Sequence, residues 1–190
     1  MKKAPGKLIV IVAPSGTGKS TLITKLKQEF PELHESVSFT TRGMRPGEIN
    51  GVSYHFVTRD LFEKKIATDD FLEWALVHGE YKGTDKKVIQ HALENGIHLL
   101  FDLDVQGADS IRAIFGAEPK IVFIEPPSVD ELEKRLRGRN TETEEKIQTR
   151  LSNARKELAR KNDYDYLVTN DTFDNALKHL RSIFEEILRS

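Results

Sequence analysis

Short apolar runs punctuate the chain. Lys7 to Val12 carries a continuous β-branched run, and similar runs recur at Ile97–Phe101, Ile121–Ile124 and Tyr166–Val168. A run without polar alternation reads as a strand buried on both faces. Helical patterns lie between these runs. Ser20 to Glu29 puts Leu22, Ile23 and Leu26 on one face. Thr84 is placed to N-cap a helix reaching Leu93, and Gly96 to stop it. Ser128-Val129-Asp130-Glu131 reads as a capping box that opens Leu132–Arg137. Thr143–Lys161 is long, polar and helical, and Ala176–Leu188 is an amphipathic terminal helix. Strands alternating with helices predict an α/β fold, a parallel sheet flanked by helices.

Residues 35–83 break this rhythm. They hold short strand-like pieces (Val37–Phe39, Tyr54–Val57, Leu72–Val77), turn signals at Pro46-Gly47 and Asn50-Gly51, and most of the aromatic residues. They read as an insertion with its own small mixed sheet. Residues 138–148 read as a mobile polar loop between two helices. The expected organisation is therefore a core of 1–34, 84–137 and 149–190, with an insertion at 35–83 and a loop at 138–148.

Composition narrows the classes. The 190 residues include 29 Lys+Arg and 30 Asp+Glu, for a net charge of −1, and no Cys. The absence of thiols excludes a disulfide framework, a zinc ribbon and a thiol nucleophile. A balanced charge argues against coating nucleic acid through the overall field. Leu8–Ala13 is too short for a signal-peptide core and leads into a Gly-rich loop. No stretch approaches ~20 apolar residues, so no membrane span is expected and a cytoplasmic protein is. The six His show no metal-ligand spacing.

The chemistry starts at Ala13-Pro14-Ser15-Gly16-Thr17-Gly18-Lys19-Ser20, which follows a buried strand and opens a helix, with Thr21 just inside it. That is the context of a phosphate-binding P-loop. Gly16 and Gly18 let backbone N–H groups turn around phosphate oxygens. Lys19 reaches the β- and γ-phosphates, and the Ser20 hydroxyl is placed to hold Mg²⁺. Asp102, at the tip of an apolar run, reads as a residue orienting Mg²⁺ through water, or else as a helix or turn cap. Asp104-Val-Gln-Gly107 matches the DxxG of GTPases, but no Asn-Lys-x-Asp segment exists to read guanine in their manner. Two separate Arg groups, Arg42 with Arg45 and Arg135, Arg139 with Arg150, suit two phosphate-bearing ligands. Arg137, Arg155 and Arg160 sit among many Glu and read as solvated surface.

Over nearly its whole length the sequence resembles the guanylate kinases. The resemblance rests on the P-loop, Ser38-Phe-Thr-Thr-Arg42-Gly-Met-Arg45-Pro-Gly-Glu48, Asn50-Gly51-Val-Ser-Tyr54, Phe71-Leu-Glu73-Trp74, Asp102-Leu-Asp104-Val-Gln-Gly107, Arg135-Leu-Arg-Gly-Arg139 and Asn170-Asp171. It implies a P-loop core, a GMP-binding insertion at 35–83 and a lid at 138–148. It implies that Arg42, Arg45 and Tyr54 hold the GMP phosphate, with Tyr81 and Lys82 beside it. Ser38, Glu73 and Thr84 would read guanine, and Asp102 and Asp104 would lie near Mg²⁺ and the nucleotide. Arg135, Arg139 and Arg150 would close on ATP, and Asn170 would lie near adenine.

The implied reaction is ATP-dependent phosphorylation of GMP, and of dGMP, by a monomer or homodimer. No nucleic-acid or membrane partner is expected. The chain departs from the family pattern at Lys82, where a second Tyr is usual, at Ala13, which replaces a Gly, and at Asn140, where Gly often follows the lid Arg. Two alternatives stay open on the sequence: an interaction module that has lost catalysis, and a related kinase acting on another phosphorylated acceptor.

Overall fold

A computed structural model describes residues 4–77, 79–138 and 143–190. The larger sheet contains β1 (Leu8–Val12), β2 (Leu33–Glu35), β7 (His98–Leu103), β8 (Lys120–Glu125) and β9 (Tyr166–Thr169), in spatial order β2-β7-β1-β8-β9, with every pair parallel. The smaller sheet contains β3 (Phe39–Thr40), β4 (His55–Phe56), β5 (Phe71–Val77) and β6 (Glu80–Asp85), in order β4-β3-β6-β5. β3 and β4 pair in parallel and the other pairs are antiparallel, so this sheet is mixed, as expected. The helices are α1 (Lys19–Glu29), α2 (Arg59–Ala67), α3 (Lys86–Glu94), α4 (Val105–Phe115), α5 (Val129–Gly138), α6 (Glu144–Leu158) and α7 (Phe173–Arg189).

β1 is buried along its whole length, and its alternating side chains feed two cores. Ile9 and Ile11 pack with Leu22 and Leu26 of α1 and Leu180 and Phe184 of α7. Leu8, Val10 and Val12 pack with Ile89 of α3 and Ala108 and Ile111 of α4. A third cluster joins α5 to α6 through Leu132, Leu136, Ile147 and Leu151. Arg137 reinforces that junction by pairing with Glu133 and, through both guanidinium nitrogens, with Glu144. Arg160 likewise pairs with Asp109 and Asp163. Both arginines are bound to neighbouring carboxylates at the surface, consistent with their reading as surface residues.

Several expectations shift. Thr84 is not the cap of α3, because it lies in β6; Asp85 caps instead, accepting from the N–H groups of Lys87 and Val88. Asp85 is 1% exposed and also receives the Lys65 ammonium, so one buried carboxylate joins α2 to the start of α3. Ser128 does cap α5 at the N–H of Glu131. The long polar helix begins at Glu144, inside the range read as a loop, and ends at Leu158 before a 3-10 turn at Lys161–Asp163. Arg139, Asn140, Thr141 and Glu142 lie outside the described residues, as does His78. Among the described residues no helix is long and apolar enough to cross a membrane.

His98 opens β7 and accepts the backbone N–H of Lys7 on Nδ1 at 3.0 Å. Burial holds its pKa below the usual 6.5; Glu32 opposes this, and Lys7 and His34 add to it. The fold therefore favours the neutral ring. The stability this contributes is present above pH 6.5 and is lost as the pH falls through the depressed folded value. The urea midpoint of His98→Asn, which keeps an acceptor for Lys7, should fall less than that of the wild type between pH 7 and about 5. Parallel declines would remove this role.

Candidate functional site

The loop after β1 is shaped for an anion. Gly16 and Gly18 have φ of 95° and 97°, a region that L side chains rarely adopt. A Cβ on Gly18 would lie 2.8 Å from the Asn170 amide nitrogen, and one on Gly16 would lie 2.7 Å from Leu136. Thr17 braces the loop, with its N–H and hydroxyl both donating to the Pro14 carbonyl. α1 starts at Lys19 with no side-chain cap and no acid in its first turn. By contrast, α2, α3, α4 and α7 carry caps at Thr58, Asp85, Asp104 and Thr172. An uncapped N-terminus leaves orphan N–H groups and the positive end of the helix facing the loop.

Charged side chains converge on this loop. Lys19 Nζ lies 2.6 Å from Asp102 Oδ1 and donates to the Leu103 carbonyl at 2.5 Å. β7 lies beside β1, with Asp102 opposite Ile11, so the strand register itself delivers the acid to the lysine. Arg150 donates to Ser15 Oγ at 3.0 Å. Arg135 donates to the carbonyls of Thr17 and Asn170. Asn170, 7% exposed, donates its side-chain amide to the Thr17 carbonyl at 2.6 Å. Asn170 thus packs beneath the loop as a brace. A cavity of about 440 Å³ opens over Ala13–Gly16, Gly18–Thr21, Asp102, Asp104 and Glu157.

A second cleft, of about 720 Å³, lies between the two sheets. Ser38, Glu73, Lys82 and Thr84 line one side, and Asp102, Asp104 and Gln106 the other. Glu73 and Thr84 are direct cross-strand partners, as are Ala75 and Lys82, so strand alternation presents these positions to the cleft. The Thr84 hydroxyl donates to Glu73 Oε1 at 2.7 Å. Among the described residues no cation pairs with Glu73. Asp104 caps α4 by accepting the Gly107 N–H at 2.8 Å, and it still borders both cavities.

Beside Lys82 stand the remaining cations. Lys82 Nζ lies 5.4 Å from the Tyr54 ring centroid, and the Arg42 guanidinium carbon lies 5.5 Å from it. Arg45 points its exposed side chain to solvent, three residues along the same loop.

Tyr81 corrects the expected set. Its ring stacks on Phe62 of α2 at 5.0 Å and lies under Arg59, on the sheet face away from the cleft. The physical reason is the two-residue period of β6: if Lys82 and Thr84 face the cleft, Tyr81 cannot. Arg139 lies outside the described residues.

Sequence reasoning missed Glu157. It borders the loop cavity from α6, and burial pushes its carboxyl above the usual range; Asp104 adds to the effect and Lys19 opposes it. Its signal was positional, since it flanks the inward stripe Leu151, Ala154 and Leu158.

Comparison with known proteins gives a consistent result. A family model described as guanylate kinase matches residues 5–187. The guanylate kinase of Shewanella oneidensis is 47% identical over 181 residues, which cover 95% of this chain and 87% of that protein. That of Caulobacter vibrioides is 45% identical over 179 residues, covering 94% and 84%. The crystal structure of guanylate kinase from Anaplasma phagocytophilum superposes with a TM-score of 0.66 at 28% identity, covering 99% of this chain and 89% of that one.

Proposed function

The chain belongs to the guanylate kinase family and catalyses ATP-dependent phosphorylation of GMP, and from that premise we propose how its own residues divide the work. The observation that carries the assignment is the shared wall. Asp102 and Asp104 border both the loop cavity and the inter-sheet cleft, so donor and acceptor phosphates can meet across them.

On the donor side, the loop N–H groups, the start of α1 and Lys19 take the ATP phosphates. Ala13 to Thr21 form this cradle. Arg135 and Arg150 already touch the loop and are placed to turn their donors onto the transferred phosphoryl group. Arg139 is assigned here by sequence alone.

Magnesium fits the donor set. Ser20 and Asp102 offer hard oxygens, and no group of three His, Cys, Asp or Glu that could hold a metal exists among the described residues. A site with so few protein ligands suits a cation that keeps its waters and takes phosphate oxygens. When bound, Mg²⁺ would neutralise phosphate charge beside Ser20 and Asp102.

On the acceptor side, guanine offers N1–H and N2–H as adjacent donors, and the Glu73 carboxylate accepts both. Thr84, which now donates to Glu73, can turn its proton to guanine O6, and Ser38 lies on the same wall. Adenine has an unprotonated N1 that would face the Glu73 lone pairs. Arg42, Arg45, Tyr54 and Lys82 take the GMP phosphate. That phosphate is itself the nucleophile, so no enzyme-bound intermediate is needed and catalysis is alignment plus charge stabilisation. Residues 35–83 carry the acceptor, and their closure would exclude water and limit idle ATP hydrolysis.

The test is ADP formation measured across GMP, dGMP, AMP, CMP and UMP. GMP is expected to lead and dGMP to follow, because base and phosphate carry the recognition. Equal ADP release with and without GMP would overturn the reading, and turnover of a sugar phosphate in its place would favour another acceptor.

A further inference from the structure

Arg42 shares the Tyr54 ring with Lys82, which lines the acceptor cleft, but one carboxylate already holds the arginine. Its Nη2 donates to Glu48 Oε1 at 2.7 Å, and its Nη1 donates to Glu48 Oε2 at 3.1 Å and to the Gly43 carbonyl at 2.7 Å. A guanidinium has five N–H donors in a fixed plane. These contacts take three of them. The two left over, Nε–H and the second Nη2–H, lie along one edge of the plane. Among the described residues no acceptor takes that edge. Two parallel N–H donors on one edge are the fork that binds two oxygens of one phosphate. The ring faces of Tyr54 and Phe56, with centroids 5.5 and 5.6 Å from the guanidinium carbon, hold the plane from the side.

The same carboxylate organises the second arginine. Glu48 Oε2 accepts the Arg45 backbone N–H at 2.7 Å, and the Glu48 N–H donates to the Arg45 carbonyl at 3.1 Å. These two bonds close the Pro46-Gly47 turn, in which Gly47 has φ of 86°. Side chain and backbone of Glu48 thus fix the Arg42 plane and the point from which Arg45 departs.

We propose that Glu48 is a positioning residue for the acceptor phosphate: it spends the end-on donors of Arg42 and leaves the Nε/Nη2 edge aimed for bidentate capture. The proposal rests on the assignment of Arg42 to the GMP phosphate. The hydrogen bonds from Arg42, and then from the Arg45 N–H, also hold the Glu48 carboxyl below the usual carboxylate range, so it stays ionised at neutral pH. The Arg42–Glu48 pair is formally neutral, which gives Lys82 a separate task. Its ammonium, with the exposed Arg45 guanidinium, supplies the uncancelled positive charge that the phosphate needs, while Arg42 supplies direction.

The test separates phosphate from base. Glu48→Gln keeps the shape but loses the charge and one acceptor oxygen. It should raise KM for GMP about ten-fold or more, with KM for ATP and kcat at saturating GMP changed less than about two-fold. Inhibition by guanosine, which has the base and no phosphate, should be unchanged. A variant that only loosens the fold would weaken guanosine as well, and that result would overturn the proposal. An unchanged KM for GMP would also overturn it. Arg42→Ala separates the two layers. If it leaves KM for GMP unchanged, the phosphate assignment itself falls and the proposal with it; if it raises KM and Glu48→Gln does not, only the positioning role falls. Should Glu48→Gln fail to fold, the same split is read in Glu48→Asp, whose shorter arm cannot reach both Arg42 nitrogens and the Arg45 N–H.

Discussion

Lys19→Ala should reduce GMP-dependent ADP release by about 10³-fold or more, with little change in the melting temperature. The reason lies in what the ammonium touches. It is held by Asp102 and the Leu103 carbonyl at the end of β7. Both partners remain partly open to water, and Asp102 is 43% exposed, so removing the lysine leaves no deeply buried orphan charge. The stability cost is therefore small. The catalytic cost is large because nothing else among the described residues brings a mobile cation to that point of the loop. Arg135 and Arg150 approach the loop from α5 and α6, through Thr17, Asn170 and Ser15, and so do not replace an ammonium held at the end of β7. Measuring kcat and the melting temperature together checks both halves. A variant that retains turnover within ten-fold would show that the arginines suffice.

Glu73→Gln should abolish the preference of the acceptor site for GMP over AMP. A site built to pair with a base edge discriminates by roughly 10⁴, because the wrong base leaves polar groups unpaired. The carboxamide can accept from only one of the two guanine donors, and it presents an N–H₂ group to the other. The same N–H₂ group can donate to adenine N1. Thr84 retains an oxygen to donate to, so the strand pair should persist and the fold with it. The check is the ratio of kcat/KM for GMP to that for AMP in both proteins. An unchanged ratio would remove Glu73 from base reading.

Apolar continuity made the larger sheet legible in the sequence. β1, β7, β8 and β9 each announce themselves as unbroken runs, because both faces of each are covered by helices. β2 escaped because Leu33-His34-Glu35 is a short edge strand with one buried residue. α2 buries only Phe62 and so shows no apolar stripe. α4 was obscured by Gly107 in its first turn, where the residues read as a loop motif although Asp104 caps a helix there. β6 carries Glu80, Lys82 and Gly83, poor strand formers that are held by pairing on both sides.

The shape of the loop after β1 was legible, because its constraint is local: glycines, a lysine and a following helix. The acceptor site was legible mainly through family resemblance. Glu73 and Thr84 are eleven residues apart in the chain, and only the strand register sets them face to face. The misassignment of Tyr81 has the same origin, since one step along a strand reverses the face. Glu157 was hidden for another reason: its place beside the inward stripe says that it lies near the core, but a charged residue in a polar helix carries no mark of the cavity it borders.

Asn170 and Arg135 both grip the Thr17 carbonyl from behind the loop. With that oxygen turned outward and fastened, the loop has its curvature before any phosphate arrives. Fixing a residue's backbone costs about 1–2 kcal/mol in lost conformational freedom. On this reading the cost is met once, when the chain folds, and not at each encounter with ATP. Asn170 would then raise affinity for a molecule it need never touch, and a substitution there should slow ATP capture by letting the loop wander.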